Sequence, residues 1–441
     1  MTTLTPHRLR RELNEEAHAR PYAAIPSPAR LTSLSLYYDF DDAPQRAALA
    51  DLAERIGLPA PLTDQAYYSA SAGDLTVRWS LHTEFARYTF IVGGDCADPF
   101  DRTALDRIPA AWLRDLPGVV LVALHAVLLP SERETELAEM SSRWFGGREL
   151  IGAEIGDGNG AAYTDLRLHP DARLAEGFSR YVVVDRAMGA SQSGRMLQRL
   201  FELETYRMLT LLALPIAKKQ MRDLDNLGIE LRAITERMAA AEGNGSDAQL
   251  LSELTRLATR VEQLIAESQY RFSAAHAYYR LVEARIGELR EQRISGMQPF
   301  REFMERRLSP AMNTCETVAR RQDRITARLQ RTTALLRTRV EVLHEEQNRA
   351  LLASMDRRAA LQLRLQETVE GLSVGVLTYY MVSLLHHLLA AVEAAGLHLN
   401  VELLTGLAIP LVALTVWFSM RRLKASLNKG QDAHHDADLL R

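Results

Sequence analysis

The feature that most constrains this chain is a long segment without helix breakers that leads into two uncharged apolar runs. Residues 311–370 contain neither proline nor glycine, and as one helix they would extend about 90 Å at 1.5 Å per residue. A helix of this length is typical of a coiled coil, a stalk or a helical repeat. Since the sequence has no internal repeat of fixed period, we interpret 311–370 as a stalk helix.

Two apolar runs follow the stalk. Residues 371–392 and 403–420 contain no Asp, Glu, Lys or Arg over 22 and 18 positions, respectively. Both lengths are sufficient for a hydrocarbon core of about 30 Å, the second only just. Because the connection 393–402 is short, the runs predict an antiparallel transmembrane hairpin over 371–420. The alternative is a buried helix pair of a soluble protein.

The positions of lysine and arginine predict the orientation of this hairpin. The connection between the spans has none, whereas both outer flanks are basic: Arg357, Arg358 and Arg364 before the first span, and Arg421, Arg422 and Lys424 after the second. The positive-inside rule then places both termini in the cytoplasm. The N-terminus lacks the apolar region of a secretory signal. We therefore expect a bacterial inner-membrane protein with a cytoplasmic tail at 421–441.

Strand patterns are concentrated in residues 1–190. Residues 75–81 alternate between apolar and polar, as in a half-buried strand, and 119–129 are almost continuously apolar. A glycine-rich stretch, 156–160, separates two further strand-like runs and is typical of a hairpin turn. These patterns predict a cytoplasmic α/β domain with a mixed sheet, and an α+β class for the whole chain.

Residues 191–310 consist mainly of helix-forming residues and predict a long helical hairpin. Pro215 is expected to kink its first helix, and 243–246 to form the turn. Ser309 and Pro310 have the N-cap and first-turn residue types that would begin the stalk helix at 311.

Composition and motifs exclude several classes of function. A net charge of −3 gives no indication of nucleic-acid binding, and two cysteines, Cys96 and Cys315, provide neither a disulfide framework nor a cysteine zinc site. The sequence has no Walker A, GxSxG or HExxH motif, so we expect no enzyme and no cofactor. The histidines of the first domain, His18, His82 and His125, are interpreted as structural.

One face of the first span is unusually polar. Its residues are separated by three and four positions alternately, which is the coiled-coil register: Ser373, Val376, Tyr380, Ser383 and His387. In a ring of copies this face would line a pore, with Glu393 and Glu402 at the outer mouth. Alternatively, the polar groups hold helices together through hydrogen bonds. No metal ligand is assigned.

Several strings resemble an uncharacterised family of proteobacterial membrane-anchored proteins, a domain of unknown function. They lie at residues 13–21, 81–85, 362–373 and 406–410, reading LNEEAHARP, LHTEF, QLRLQETVEGLS and GLAIP. The resemblance implies a membrane anchor but no particular activity.

The order of parts is similar to that of the CorA-type metal-ion transporters, pentameric Mg²⁺ channels whose first span lines the pore. Those proteins have Gly-Met-Asn after that span, whereas this chain reads AAGLHLN at 394–400. The resemblance implies a homo-oligomer, with a pentamer as its model, and an unidentified divalent cation as the transported species.

Two functions therefore compete. The first is a homo-oligomeric inner-membrane cation channel or transporter, in which copies of the first span enclose the pore. The alternative is a membrane-anchored scaffold or sensor without transport activity. Both have the membrane and further copies of the chain as partners.

Overall fold

The computed structural model describes residues 7–11, 13–14, 22–38, 40–63, 65–95, 98–240, 247–394 and 400–438. The chain divides into two compact units, Met1–Ala334 and Leu335–Arg441. Helices contain 63% of the residues and strands 18%. This composition confirms the mixed α+β class.

The first unit contains a sheet in which nine strands are described. They are β1 (Ala29–Tyr37), β2 (Tyr67–Ala72), β3 (Leu75–Leu81), β4 (Phe85–Gly93), β5 (Val119–Pro130), β6 (Ile151–Ile155), β7 (Gly160–Thr164), β8 (His169–Asp171) and β9 (Leu174–Asp185). Their order is β2-β3-β4-β1-β5-β9-β7-β6, and β8 pairs with β9. Among these pairs β5 and β9 run parallel and the others antiparallel, so the predicted mixed sheet is confirmed.

The strands with a clear sequence pattern form where predicted. Leu75, Val77, Trp79 and Leu81 of β3 are buried, while the residues between them are half-buried. The turn between β6 and β7 has positive φ angles of 62°, 65° and 85° at Gly156, Asp157 and Gly158. Glycine adopts this backbone region with little strain, so 156–160 is a hairpin turn as expected.

β1 and β2 have no counterpart in the sequence prediction. β1 lies in the middle of the sheet although three of its buried residues are polar. Their hydroxyl groups find distant partners: Thr32 Oγ1 lies 2.8 Å from His125 Nδ1, and Ser35 Oγ lies 3.0 Å from Thr205 Oγ1. Because these partners satisfy the hydroxyls, a strand with a polar sequence is stable in the core.

Eight α-helices are described, with short 3₁₀ turns at Ala104–Arg107 and Ser131–Arg133. The helices are α1 (Ala43–Ile56), α2 (Ala110–Arg114), α3 (Leu137–Phe145), α4 (Gly189–Leu211), α5 (Ala213–Ala240), α6 (Asp247–Leu289), α7 (Phe300–Ala394) and α8 (Val401–Asp438). The break between α4 and α5 precedes Pro215, whose missing N–H cannot bond to the Leu211 carbonyl. The predicted kink is confirmed.

The predicted start of the stalk helix is wrong. α7 begins at Phe300, and Pro310 lies inside it. The Glu291 carboxylate accepts hydrogen bonds from the N–H groups of Phe300 (3.1 Å) and Arg301 (3.0 Å), which caps the helix eleven residues before the predicted start at 311. At the other end of the chain, α8 continues past the second predicted span to Asp438.

Helices cover both faces of the sheet. On one face, α4, α6 and the start of α7 pack against β1, β4, β5 and β9 around Leu124, Leu200 and Val282. The opposite face packs against α1 and α2 around Trp79, Tyr88 and Trp112, and against α3 through a smaller cluster. The sheet is therefore the middle layer of three.

A buried ion pair joins the β3–β4 turn to α6. Two oxygens of Glu84 accept hydrogen bonds from Arg271 Nη2 at 2.8 and 2.6 Å, and Tyr270 Oη donates to the same carboxylate at 3.2 Å. The side chains of Glu84 and Arg271 are 1% and 9% exposed. The string LHTEF at 81–85 thus contains Glu84, the residue that connects the β3–β4 turn to α6.

Removing Arg271 should destabilise the protein strongly, because Glu84 would remain as a buried carboxylate without its cation. We expect Arg271→Met to cost about 3–5 kcal/mol and to lower the unfolding midpoint by about 4–7 °C. The measurement is thermal unfolding of the full chain in detergent, monitored by tryptophan fluorescence. Trp79, Trp112 and Trp144 report on the first unit.

The matched control is Arg237→Met. Arg237 pairs with Glu253 on the helix surface, where its side chain is 51% exposed, and such pairs contribute at most about 1 kcal/mol. Equal melting shifts for the two variants would contradict the role given to the buried pair.

Candidate functional site

The second unit contains the predicted pore-lining residues. Ser373, Val376, Tyr380, Ser383 and His387 all belong to α7, so their spacing places them along one side of the helix. Val376 and Tyr380 are 48% and 63% exposed in the single chain. The side of α7 that contains them is therefore open to lipid or to further copies.

Two polar groups of this face are satisfied within α7 itself. Ser373 Oγ donates to the Val369 carbonyl, and His387 Nδ1 donates to the Ser383 carbonyl, both at 2.8 Å. Bonds of this kind lower the cost of exposing a hydroxyl or an imidazole to an apolar medium. They leave Nε2 of His387 as an acceptor.

The neighbouring histidine points in another direction. His386 Nδ1 lies 3.4 Å from Thr405 Oγ1 and so connects α7 to α8. Glu393 and Glu402 are exposed near the facing ends of these helices, and 395–399 of the connection lie outside the described residues. Within the described part of the chain, His, Cys, Asp and Glu form no group of three or more that would hold a metal ion.

Both helices of this unit have the length and composition of membrane spans. Their most apolar windows have mean hydropathies of 1.5 in α7 and 2.0 in α8, and only 0% and 6% of those windows is buried within the chain. A core helix of a soluble protein would be largely covered by its own chain. These helices therefore present an apolar surface suited to association with a membrane.

The histidines of the first unit occupy different environments. His82 is half-buried and stacks on Phe85 with ring centroids 4.1 Å apart, whereas His18 lies outside the described residues. His125 is buried, contacts Thr32 and Asp171, and stacks on Phe178 at 4.2 Å. Burial lowers the pKa of His125, which favours the neutral ring. Although Thr32, His125 and Asp171 are connected like a hydrolytic triad, Thr32 is fully buried, so no substrate reaches it.

A cavity lies between the sheet and α4, and we call it the Arg87 cavity. Its walls come from β3, β4, α4 and the segment before β1, and the centres of water-sized molecules can occupy about 50 Å³ of it. Gly194 closes one side, because a Cβ at this position would lie 1.7 Å from the Ala23 carbonyl oxygen. Only glycine allows α4 and the segment before β1 to approach so closely.

The charges around this cavity are unevenly paired. Arg87 is 6% exposed, and its Nη1 lies 3.9 Å from Glu202 Oε1. Among the described residues, its Nε and Nη2 atoms have no hydrogen-bond partner. The Glu202 carboxylate meanwhile accepts hydrogen bonds from Arg285 and, at 2.8 Å, from Gln198. Burial lowers the pKa of Arg87, because desolvation disfavours the charged form.

Arg87 and Glu202 are not among the residues that the sequence singles out. Neither belongs to a known motif, and each is one charged residue in an ordinary strand or helix. The available signal was weaker: Arg87 interrupts the apolar and aromatic run of β4, and Glu202 follows Leu200 and Phe201 on the inner face of α4. A charge at a core-facing position indicates a buried polar contact or a site.

The fold and the apolar helices define a mixed α+β protein with two helices of membrane-spanning length. The chain belongs to the family described as "Protein of unknown function (DUF3422)", whose model matches residues 5–427. This membership confirms the resemblance to an uncharacterised family. No curated protein and no solved structure matches the chain, so the resemblance to CorA-type transporters gains no support from these comparisons.

Proposed function

We propose that this protein is a membrane-anchored, homo-oligomeric scaffold or sensor of the bacterial inner membrane, with no catalytic activity. The observation that carries the proposal is the apolar surface of α7 and α8, which the chain itself leaves uncovered. Lipid covers residues 371–392 and 403–420 in this arrangement. The basic flanks of the two spans support a cytoplasmic location for the first unit and the C-terminus.

The part of α7 that precedes the first span supports self-association. It lies outside the predicted bilayer, yet several of its large apolar side chains are exposed, among them Met355 at 63% and Val369 at 57%. Both belong to the register that continues into the first span. Leu363 and Leu365 flank this stripe and are also exposed, which widens the apolar surface that a neighbouring copy could cover.

A cation channel is the second candidate, and the polar face of the first span favours it. Two spans in one chain cannot enclose a pore, so conduction would require a ring of α7 helices. Hydroxyl and imidazole groups on one face of an apolar span are typical of a water-filled path. Glu393 and Glu402 would then concentrate an unidentified cation at the outer mouth.

Deletion of residues 371–441 should release the protein from membranes, because the remainder has no other uncharged apolar run of spanning length. The measurement is fractionation of cells followed by a high-salt wash. A chain lacking only 431–441 serves as the matched control and should stay in the membrane fraction. Retention of the larger deletion after the wash would refute the anchor.

Disulfide crosslinking should identify the contact between copies. In a chain whose native cysteines are replaced by alanine, single cysteines at positions 355, 362 and 369 should crosslink in native membranes, because these positions share the proposed seam. Cysteines at positions 360 and 364, on the opposite side of α7, are the matched controls. Equal crosslinking at all five positions would exclude the seam.

Cation flux into liposomes separates the two candidates. A scaffold should give no flux above that of empty liposomes. A channel should give flux that His387→Ala changes and His386→Ala leaves unchanged, since His387 lies on the polar face while His386 contacts α8. Flux with this dependence would replace the scaffold proposal by the channel.

A further inference from the structure

We propose that the Arg87 cavity binds a small monocarboxylate. In this arrangement the carboxylate of the ligand pairs with Arg87, and a short apolar part contacts Ile91 and Leu197. The site lies entirely within the first unit, and its existence does not depend on the function proposed for the membrane helices.

Two nitrogens of the Arg87 guanidinium lack a hydrogen-bond partner among the described residues. A buried guanidinium with two unpaired nitrogens is costly, because the desolvation of those donors is not compensated. Its ion-pair partner, Glu202, lies 3.9 Å away and holds Arg285 and Gln198 at the same time. An anion in the cavity would supply the acceptors that the chain does not.

The charges of the cavity bear on the kind of anion. Nε and Nη2 form one side of the guanidinium fork, which matches the two oxygens of a planar carboxylate. Arg78, Arg87 and Glu202 all line the cavity. With two cations and one anion in the lining, a monoanion balances the charge, whereas a dianion such as phosphate exceeds it.

The size and lining of the cavity limit the ligand. A volume of 50 Å³ for the centres of water-sized molecules corresponds to roughly three to five such groups, at about 10–15 Å³ each. The lining residues are divided about evenly between polar and apolar types, and the apolar ones include Ile25, Leu31, Ile91, Leu197 and Phe201. Propionate and butyrate combine one carboxylate with an apolar part of this size.

The test is calorimetric titration of the full chain in detergent with sodium butyrate, in a buffer free of carboxylates. Wild-type protein should bind butyrate saturably, and it should not bind butan-1-ol, which lacks the charge. Arg87→Met should weaken butyrate binding by about tenfold or more, since it removes the charged hydrogen bonds. This variant leaves Glu202 paired with Arg285.

Two further variants distinguish a loss of butyrate binding from a loss of folding. Ile91→Phe keeps Arg87 but fills the cavity, so it should also lose butyrate binding. Arg290→Met removes an exposed arginine that pairs with Asp157 and should bind butyrate like the wild type. Unfolding midpoints of all variants show whether each is folded.

Three results would overturn the proposal. The first is that acetate, propionate and butyrate all fail to bind the wild-type chain. The second is that folded Arg87→Met or Ile91→Phe binds butyrate as tightly as the wild type. The third is that inorganic phosphate binds in an Arg87-dependent manner while the carboxylates do not.

Discussion

Buried charges connect the sheet of the first unit to the helices that cover it. Glu84 at the β3–β4 turn pairs with Arg271 of α6. Tyr181 of β9 donates to Glu204 of α4 at 3.1 Å, and Arg207 neutralises that carboxylate. Such contacts are directional, so they fix the position of a helix on the sheet more narrowly than apolar packing alone.

Arg87 also connects the sheet to α4 through a buried carboxylate, but its distance to that carboxylate, 3.9 Å, is too long for a hydrogen bond. One carboxylate, Glu202, stands between two guanidinium groups, Arg87 of β4 and Arg285 of α6. Arg285 is hydrogen-bonded to Glu202 and also pairs with Glu288, whereas Arg87 lies 3.9 Å from Glu202 and stacks over the Phe85 ring at 5.7 Å. Since an unpaired buried charge is expensive, the cost at Arg87 has to be offset by packing elsewhere or by a ligand.

Local patterns in the sequence predicted the strands in which burial follows a regular pattern along the chain. The alternation of β3 and the glycine-rich turn before β7 are properties of a few consecutive residues, and both were found where expected. β1 was missed because its buried hydroxyls depend on His125 and Thr205, which are distant in sequence. The start of α7 was misplaced because its cap is the side chain of Glu291, which lies outside the helix, nine residues before Phe300. Arg87 and Glu202 form a site only once β4 and α4 have packed together.

In the second unit the side chains without partners are apolar, because the chain itself leaves the apolar windows of α7 and α8 exposed. Lipid contacts all faces of a helix equally, whereas a neighbouring copy contacts one face. Ser373 and His387 are hydrogen-bonded within α7. Their polarity therefore does not by itself determine which side of the first span faces a neighbouring copy. That orientation has to come from the helix before it. α7 continues without interruption from Met355 to Val376. Met355, Val369 and Val376 are separated by multiples of seven residues, so they lie on one side of the helix. In the oligomer that we propose, a seam between stalk helices would turn the polar face of the span toward the oligomer axis, in a scaffold as much as in a channel.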